Sequence, residues 1–355
     1  MKHALKRLLR RSTASTLHAT GLRRAFRSGR RGVPVLMFHN VGNPKTTDYI
    51  PGHMKVAEAT LERLLAALAR AGYGTLTLRQ LVEAFERGET PRDAVVLTFD
   101  DGYKDNHDVL LPLLRRHKAV ATVFVQTGPM HGRINWLHHY FWVLHRVGPH
   151  KVGAELAQRL PAADGSASRQ TLRALPQDPV AAEYQLKRVL KYEVSAADRD
   201  RLLAEIFAAA GGDDATLARE VWLSPEDCRA LDAAGVELGA HTVDHLVLSS
   251  LDRAAQRAQI EGSLSDLRGW LGHDVTTFAY PYGRSWDYNA DTLGVLKELG
   301  LRGAITAMPG LNEPATERLQ LRRTAVSEEL PLSELLCEVD GAFDWLSRRG
   351  LDLRA

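Results

Sequence analysis

Apolar residues recur along the chain at two alternating spacings. In one, they stand three and four positions apart, as on one face of a helix, and the stretch closes on Gly or His. In the other, short runs rich in Val, Ile, Thr and Phe follow within a few residues and are typical of buried strands. Stretches 61–70 and 291–299 are examples, and Gly72 and Gly300 behind them are the usual left-handed helix stops. Strands and helices that alternate in this way predict a parallel sheet built from β-α units.

Seven runs are predicted strands, with one more near residue 75. They lie at 33–38, 94–99, 119–125, 236–240, 275–281, 302–306 and 319–325. Candidate polar residues stand at the C-terminal ends of several of them, which is where β/α barrels build their sites. The sequence therefore predicts an α/β fold with a closed or nearly closed barrel rather than an open, doubly wound sheet.

One long segment interrupts this rhythm. Residues from about 131 to 221 are rich in Ala, Leu, Arg and Gln and show little strand signal. We predict that they form a helical insertion on a barrel that spans residues 33–350. The remaining part, residues 1–32, is predicted to be a basic N-terminal arm.

The net charge of +3 conceals a strong asymmetry. Residues 1–32 hold ten Lys and Arg and no acid, so the rest of the chain is mildly acidic. Leu5, Leu8 and Leu9 would share one side of a helix in this arm, which lacks the continuous apolar core of a secretory signal. Three interpretations stay open: contact with an anionic membrane surface, an organelle transit peptide, and a disordered tail. Nucleic acid is not expected as a partner, because no aromatic residues are interleaved with the cations of the first half of the arm.

Other features of the composition narrow the class of protein. No apolar run reaches the ~18 residues that a membrane-spanning helix needs. The only cysteines, Cys228 and Cys337, have no second thiol or imidazole close by at metal spacing, which argues against a disulfide framework and fits a reducing compartment. We expect a cytoplasmic protein, with the arm as a candidate peripheral contact at the inner membrane face.

The first candidate for chemistry is V-V-L-T-F-D-D-G-Y at 95–103. An apolar run ends there in two adjacent carboxylates, Asp100 and Asp101. Two like charges side by side repel each other, so the pair calls for a nearby cation or for two separate roles.

A second candidate is the pair His241 and His245, which follows the predicted strand 236–240. Two imidazoles four residues apart can converge on one ion if the chain turns helically between them. A carboxylate would complete a His, His, carboxylate set with an open water position, as catalytic zinc sites have. Asp244 would point to a different side, so Asp100 or Asp101 is the better donor. Taken alone, however, such a pair is more often two structurally satisfied histidines.

Two further stretches give weaker signals. Pro281-Tyr282-Gly283 follows a predicted strand. A turn of this kind either aims a backbone N–H into a pocket as an oxyanion donor or is simply a β-turn. His39 ends the strand 33–38, where a lone histidine is more often structural than catalytic.

Together these stretches resemble the polysaccharide deacetylases, carbohydrate esterase family 4 with the NodB-homology domain. T-F-D-D-G at 98–102, H-T-V-D-H at 241–245 and Y-P-Y-G at 280–283 look like the family's first three motifs, in the same order. The resemblance spans residue 33 to about 325. It implies a distorted (β/α)7 barrel and a divalent metal, commonly zinc, with nickel and cobalt as alternatives. It also implies removal of acetyl groups from N-acetylated sugars through a metal-activated water.

The resemblance implies a role for each motif residue. Asp100 resembles the catalytic base, and Asp101 resembles the carboxylate ligand of the metal. His241 and His245 resemble its two histidine ligands. Tyr282 resembles the residue whose backbone N–H stabilises the oxyanion.

Two departures from the family pattern bear on the site. The Arg that usually opens the third motif is replaced by Ala279, and Arg284 beyond the turn is a candidate substitute. The C-terminal L-x-H motif that usually supplies the general acid is absent, because no histidine follows His273. V-L-M-F-H at 35–39 is instead similar to a motif of the circularly permuted poly-N-acetylglucosamine deacetylases. On that analogy His39 is the general acid.

The expected function is metal-dependent removal of acetyl groups from N-acetylated sugars of a polysaccharide, a glycolipid or its precursor. An acetylated glycan or lipid-linked sugar is then the expected partner. Two rival expectations remain: the same centre acting on another C–N bond or an O-acetyl ester, and a catalytically inactive sugar-binding relic.

Overall fold

The computed structural model describes residues 2–42, 45–161 and 166–353, and the side chains of residues 2–5 and 166 lie outside that description. The contacts of the chain divide it into two units. Unit 1 combines Met1–Asn43, Gly52–Met130 and Val221–Ala355, and unit 2 combines Pro44–Pro51 with His131–Glu220.

All of the strands that the structure describes lie in unit 1. They are β1 Val35–Phe38, β2 Asn40–Val41, β3 Lys55–Val56, β4 Gly74–Leu76, β5 Ala94–Phe99, β6 Thr122–Val125, β7 Glu237–Ala240, β8 Thr277–Ala279, β9 Gly303–Ile305 and β10 Thr324–Ala325. Each predicted run contains one of these strands, although the last is only two residues long.

The helices are α1 Lys2–Ala19, α2 Arg23–Gly29, α3 Glu58–Arg70, α4 Leu78–Glu86, α5 Leu111–His117, α6 Trp136–Val147, α7 Pro149–Arg159, α8 Ser166–Arg173, α9 Pro179–Tyr192, α10 Ala196–Ala209, α11 Asp214–Val221, α12 Pro225–Ala233, α13 Arg253–Leu271, α14 Ala290–Glu298, α15 Leu332–Val339 and α16 Ala342–Ser347. Helices α6 to α11 are the described α-helices of unit 2, except that the last residue of α11, Val221, belongs to unit 1. No helix in the described ranges is long and apolar enough to span a membrane.

The main sheet is parallel and curls toward closure. Its strand order is β10-β1-β5-β6-β7-β8-β9, and β4 pairs with the first half of β5. Ile305 of β9 also bridges to Leu321, just before β10, so the two ends of the order approach each other. The expected distorted β/α barrel is therefore confirmed.

Alternate strand residues face two separate cores, as the two-residue period of a strand requires. Val35, Val96 and Phe124 belong to an inner core that also includes one side of α4. Their neighbours Leu36 and Leu97 pack outward against the surrounding helices. Glu237 accepts a hydrogen bond of 2.9 Å from the N–H of Arg79 in α4, and Glu237 is the first residue of β7. Helix α4 therefore closes the amino end of the barrel, which leaves the carboxyl end for chemistry.

The basic N-terminal segment forms α1 and α2 and belongs to unit 1 instead of standing apart as an arm. Arg10 is only 4% exposed and lies 2.6 Å from Glu334 and 2.8 Å from Glu338, two acids of α15. Arg23 makes a second buried pair with Asp340. These acids are more than 300 residues away in sequence, so no local pattern could reveal the pairing.

Candidate metal centre

Strand ends bring the motif residues together at the carboxyl edge of the barrel. Asp100 and Asp101 directly follow β5, and His241 directly follows β7. β6 lies between these two strands, and the N–H of His241 donates to the carbonyl of Val125 in β6 at 3.1 Å. Because parallel strands end at one edge, the residues that follow them converge there.

Asp101, His241 and His245 form a buried triad. One carboxylate oxygen of Asp101 lies 3.5 Å from the Nε2 atoms of both histidines. The ligand atoms of all three residues lie within 4.8 Å of one another. This is a compact set of one oxygen and two nitrogen donors.

The ring of His241 is oriented by the strand beside it. Its Nδ1–H donates a hydrogen bond of 2.7 Å to the carbonyl oxygen of Ala279 at the end of β8. Because Nδ1 holds the proton, Nε2 of a neutral ring carries a lone pair on the side of Asp101. A backbone acceptor of this kind is the usual support of a metal-ligating histidine.

The charges of the triad favour binding of a cation. Burial acts to raise the pKa of Asp101, but His241 and the other nearby imidazoles outweigh it and hold that pKa far below its usual value. Asp101 is therefore an anion at neutral pH. An ionised carboxylate with two imidazole nitrogens suits zinc, and also nickel or cobalt, so these residues fit a divalent metal.

The two histidines converge through a loop with left-handed residues, although no helical turn joins them. Thr242 has a φ of 65° and His245 a φ of 55°, and the N–H of His245 donates to the Thr242 hydroxyl at 3.0 Å. Asp244 points away from the triad and pairs with Gln259 of α13.

Left-handed backbone is concentrated at this site. Among the described non-glycine residues only five have positive φ, and four of them are Asp101, Thr242, His245 and Tyr282. Each costs on the order of 1 kcal/mol relative to ordinary backbone. Strained backbone that is concentrated in one place and held there by the surrounding structure is a feature of functional sites.

Asp100 faces a different partner from that of Asp101. Arg323, which is 1% exposed, donates hydrogen bonds of 2.6 Å to both carboxylate oxygens of Asp100. Its Nε donates to the carbonyl of Thr306 at 2.9 Å, which fixes the guanidinium. Burial acts to raise the pKa of Asp100. The nearby positive charges, with that of Arg323 the largest, outweigh burial, so the pKa is lowered. Asp100 is therefore ionised.

Arg323 is the functional candidate that sequence reasoning missed. Arg284, the suggested substitute for the motif arginine, is exposed, and its backbone N–H donates to Asp287. The buried guanidinium beside Asp100 instead comes from the segment that leads into β10. The only signal in the sequence was an Arg-Arg pair inside the predicted strand 319–325, which belongs to no motif.

His39 lies next to Asp100 in the sheet. Phe38 of β1 is in register with Phe99 of β5, and the N–H of Asp100 donates to the carbonyl of Phe38 at 2.9 Å. Burial lowers the pKa of His39, although the charges of Asp101 and Asp100 oppose that effect.

Tyr282 lies on the other side of the triad. Its ring centroid is 4.8 Å from that of His245. The turn is closed by a hydrogen bond of 2.7 Å from the N–H of Gly283 to the carbonyl of Pro281. The carbonyl of Gly283 then accepts from the N–H of Ala307 at 2.8 Å, which ties the turn to the segment after β9.

Comparison with known proteins agrees with this arrangement. The sequence model of the family described as "Polysaccharide deacetylase" matches residues 87–184 and 196–304, more than half of the chain. The chain belongs to the polysaccharide deacetylase family. Asp100, the triad and Tyr282 lie inside the matched ranges of this family, whereas His39 and Arg323 lie outside them.

Three proteins illustrate the similarity of this family member to individual relatives. The chain is 21% identical over 297 residues to "Putative polysaccharide deacetylase YxkH" of Bacillus subtilis (strain 168), covering 83% of this chain and 71% of that protein. The structure of the Streptococcus pyogenes deacetylase PplD in complex with acetate superposes with a TM-score of 0.57 at 19% identity, over 87% of this chain and 98% of that one. A de-N-acetylase from Aggregatibacter actinomycetemcomitans gives a TM-score of 0.55 at 15% identity, over 85% and 98%. At these identities the two structures are alike in fold.

Proposed function

We propose that this family member hydrolyses acetyl groups from N-acetylated sugars of a glycan or its precursor. The observation that carries the proposal is that two neighbouring carboxylates have different partners. Asp101 faces two histidines, whereas Asp100 faces Arg323. One carboxylate is thus available to a metal, and the other stays ionised as a base.

Asp101, His241 and His245 would hold the ion. Bound there, a divalent metal such as zinc would polarise the acyl carbonyl and lower the pKa of water. The remaining requirements of amide hydrolysis then fall to groups of the chain itself.

Asp100 accepts the proton of the attacking water. A carboxylate offers about four lone-pair positions. Arg323 occupies one on each oxygen, so acceptor capacity remains while the orientation is fixed. The water oxygen forms the new bond to the acyl carbon, and the C–N bond breaks to give acetate and the free amine of the sugar.

Two further groups complete the proposal. The backbone N–H of Tyr282 stabilises the negative charge on the carbonyl oxygen. His39, beside Asp100, donates the proton that the leaving amine needs. On balance burial lowers the pKa of His39, although the charges of Asp101 and Asp100 oppose it, so the ring must hold its proton against the effect of burial in this role.

Acetate release tests the proposal. Purified protein loaded with zinc, nickel or cobalt is assayed on N-acetylated and O-acetylated glycans, and N-acetylated sugars are expected to be the substrates. Asp100→Asn should lower the rate at least about a hundredfold, the lower range for loss of a general base, with the metal content unchanged. Asp101→Asn should lose the metal as well, and Asp108→Asn, an exposed carboxylate near the same strand, should change neither.

Two results would contradict the proposal. Undiminished activity of Asp100→Asn would exclude this carboxylate as the base. Full metal loading without acetate release from any glycan would favour the sugar-binding relic.

A further inference from the structure

Helix α1 exposes two large apolar side chains beside its cations. Leu8 is 65% exposed and Leu9 is 47% exposed. Arg7 and Arg11 next to them are exposed as well, and α1 contains no acidic residue. A helix with this composition on its outer side suits the surface of an anionic membrane, where leucines enter the headgroup layer and arginines meet lipid phosphates.

We propose that α1 docks unit 1 on an anionic lipid bilayer, with Leu8 and Leu9 inserted and with Arg7 and Arg11 against the phosphates. The predicted apolar side begins at Leu5, whose side chain lies outside the described residues.

The inner side of α1 fixes the docking helix to the catalytic unit. Arg10 donates to Glu334 at 2.6 Å and to the carbonyl of Leu353 at 2.7 Å, and Ala14 is fully buried against Phe343 and Cys337. The side of α1 that inserts therefore belongs to a preformed helix, so the chain loses little conformational entropy on binding.

The docking helix lies at the same end of the barrel as the metal centre. Lys6, Arg7 and Arg11 line a cavity together with Ser327 and Glu329, which lie two and four residues beyond the end of β10. Arg11 also donates to the carbonyl of Glu329 at 3.1 Å. Because the strands are parallel, the residues after β10 are at the carboxyl end, as Asp100 and Asp101 are.

This placement narrows the substrate class, on the condition that the proposed deacetylation is correct. An enzyme whose catalytic end carries a lipid-binding helix encounters glycans that are attached to lipid or assembled at the bilayer. Acetylated sugars linked to lipid in vesicles should then release acetate faster than the same sugars free in solution, and the Leu8→Ser/Leu9→Ser change should remove that difference.

A rival surface lies in unit 2. Val180 and Tyr184 of α9 are also exposed, at 76% and 74%. However, Glu183 stands between them and Asp178 precedes that helix, so the charge next to this apolar pair is negative, and the cations of α9 begin only at Lys187. The acid-free α1 is the better match to negative phosphates.

Vesicle co-sedimentation of the full chain tests the docking without any use of catalysis. Wild type should bind vesicles of phosphatidylcholine mixed with phosphatidylglycerol, and should bind phosphatidylcholine alone weakly. Leu8→Ser/Leu9→Ser should lower the partition coefficient about tenfold. Arg7→Gln should lower it less and should weaken its dependence on salt.

The matched control is Val180→Ser/Tyr184→Ser, which removes two large side chains that are more exposed than Leu8 and Leu9 and should leave binding unchanged. Thermal melting and acetate release from a soluble substrate should match wild type in the Leu8/Leu9 variant, which separates lost docking from lost folding or catalysis. Absence of wild-type binding, unchanged binding in that variant, or loss in the control would overturn the docking proposal. A dimer that forms without lipid and is lost in the Leu8→Ser/Leu9→Ser variant would also overturn the proposal, because a second copy of the chain would then cover these leucines.

Discussion

Arg323 donates one hydrogen bond to each carboxylate oxygen of Asp100, and both bonds are 2.6 Å long. Both side chains are almost fully buried. A two-pronged contact of this kind fixes both the position and the plane of the carboxylate. Arg323 is thus a positioning residue for the proposed base, although it lies 223 residues away in sequence.

Arg323→Lys should lower kcat with little change in KM. A lysine keeps the charge but cannot make two parallel hydrogen bonds, so Asp100 would lose its fixed orientation. We expect a loss of about tenfold to a hundredfold in kcat, since misplacement by about 1 Å has effects of that size. Steady-state kinetics measure it, with Arg322→Lys, an exposed neighbour, as the control. An unchanged kcat would show that orientation by Arg323 does not matter.

The family usually has its motif arginine at the position of Ala279. An arginine introduced there should partly replace Arg323. Ala279 is buried in the inner core beside Phe124, and the Arg323 guanidinium lies 6.0 Å from the ring of Phe124. Ala279→Arg alone should destabilise the protein, because it crowds a filled interior. Ala279→Arg combined with Arg323→Ala should be more active than Arg323→Ala alone. A folded double variant with no gain in acetate release would contradict this prediction.

Arg10→Met should strongly destabilise unit 1. It removes the cation that lies 2.6 Å from Glu334 and 2.8 Å from Glu338, and removal of one member of a buried ion pair costs about 3–5 kcal/mol. Arg24→Met on α2 is the control, because Arg24 is exposed and the expected cost is within about 0.5 kcal/mol. Denaturant unfolding measures both changes. Equal free energies of unfolding for the two variants would mean that the buried pairs do not hold the N-terminal helices.

The stability of α9 should rise as pH increases above 8. Burial lowers the pKa of Lys187 from 10.5 to about 8, and its amino group lies 4.9 Å from the ring centroid of Phe141. Between those two pH values the unfolded chain binds more protons than the folded chain, so the free energy of unfolding increases with pH. The gain should be on the order of 2 kcal/mol after allowance for the partial exposure of the side chain.

Hydrogen exchange of α9 at pH 7.5 and 9.5 measures that gain. Lys187→Met should abolish the pH dependence and raise the stability at the lower pH. Lys151→Met, which changes an exposed lysine of the same unit, should leave the pH dependence intact. Identical protection of wild-type α9 at the two pH values would refute the prediction.

The sequence predicted those parts of the site whose signal is local. Asp100, Asp101 and His241 directly follow strands with clear apolar runs, so their convergence follows from the parallel topology. Arg323 escaped prediction because its partner is far away in sequence and the strand that it precedes, β10, is only two residues long. The buried pairs of Arg10 and Arg23 escaped for the same reason, since a run of cations without acids has the composition of a solvated tail.

Helix α4 closes the end of the barrel that is remote from Asp100. Glu237 joins it there to β6 and β8 through Thr122 and Thr277. The contacts that hold the strands together are thus separated from the loops that carry the reaction. Substitutions in the loops that follow β5, β7 and β8, made at positions other than the motif residues, would leave this foundation untouched, so the chain is a scaffold on which substrate preference can change at little risk to folding.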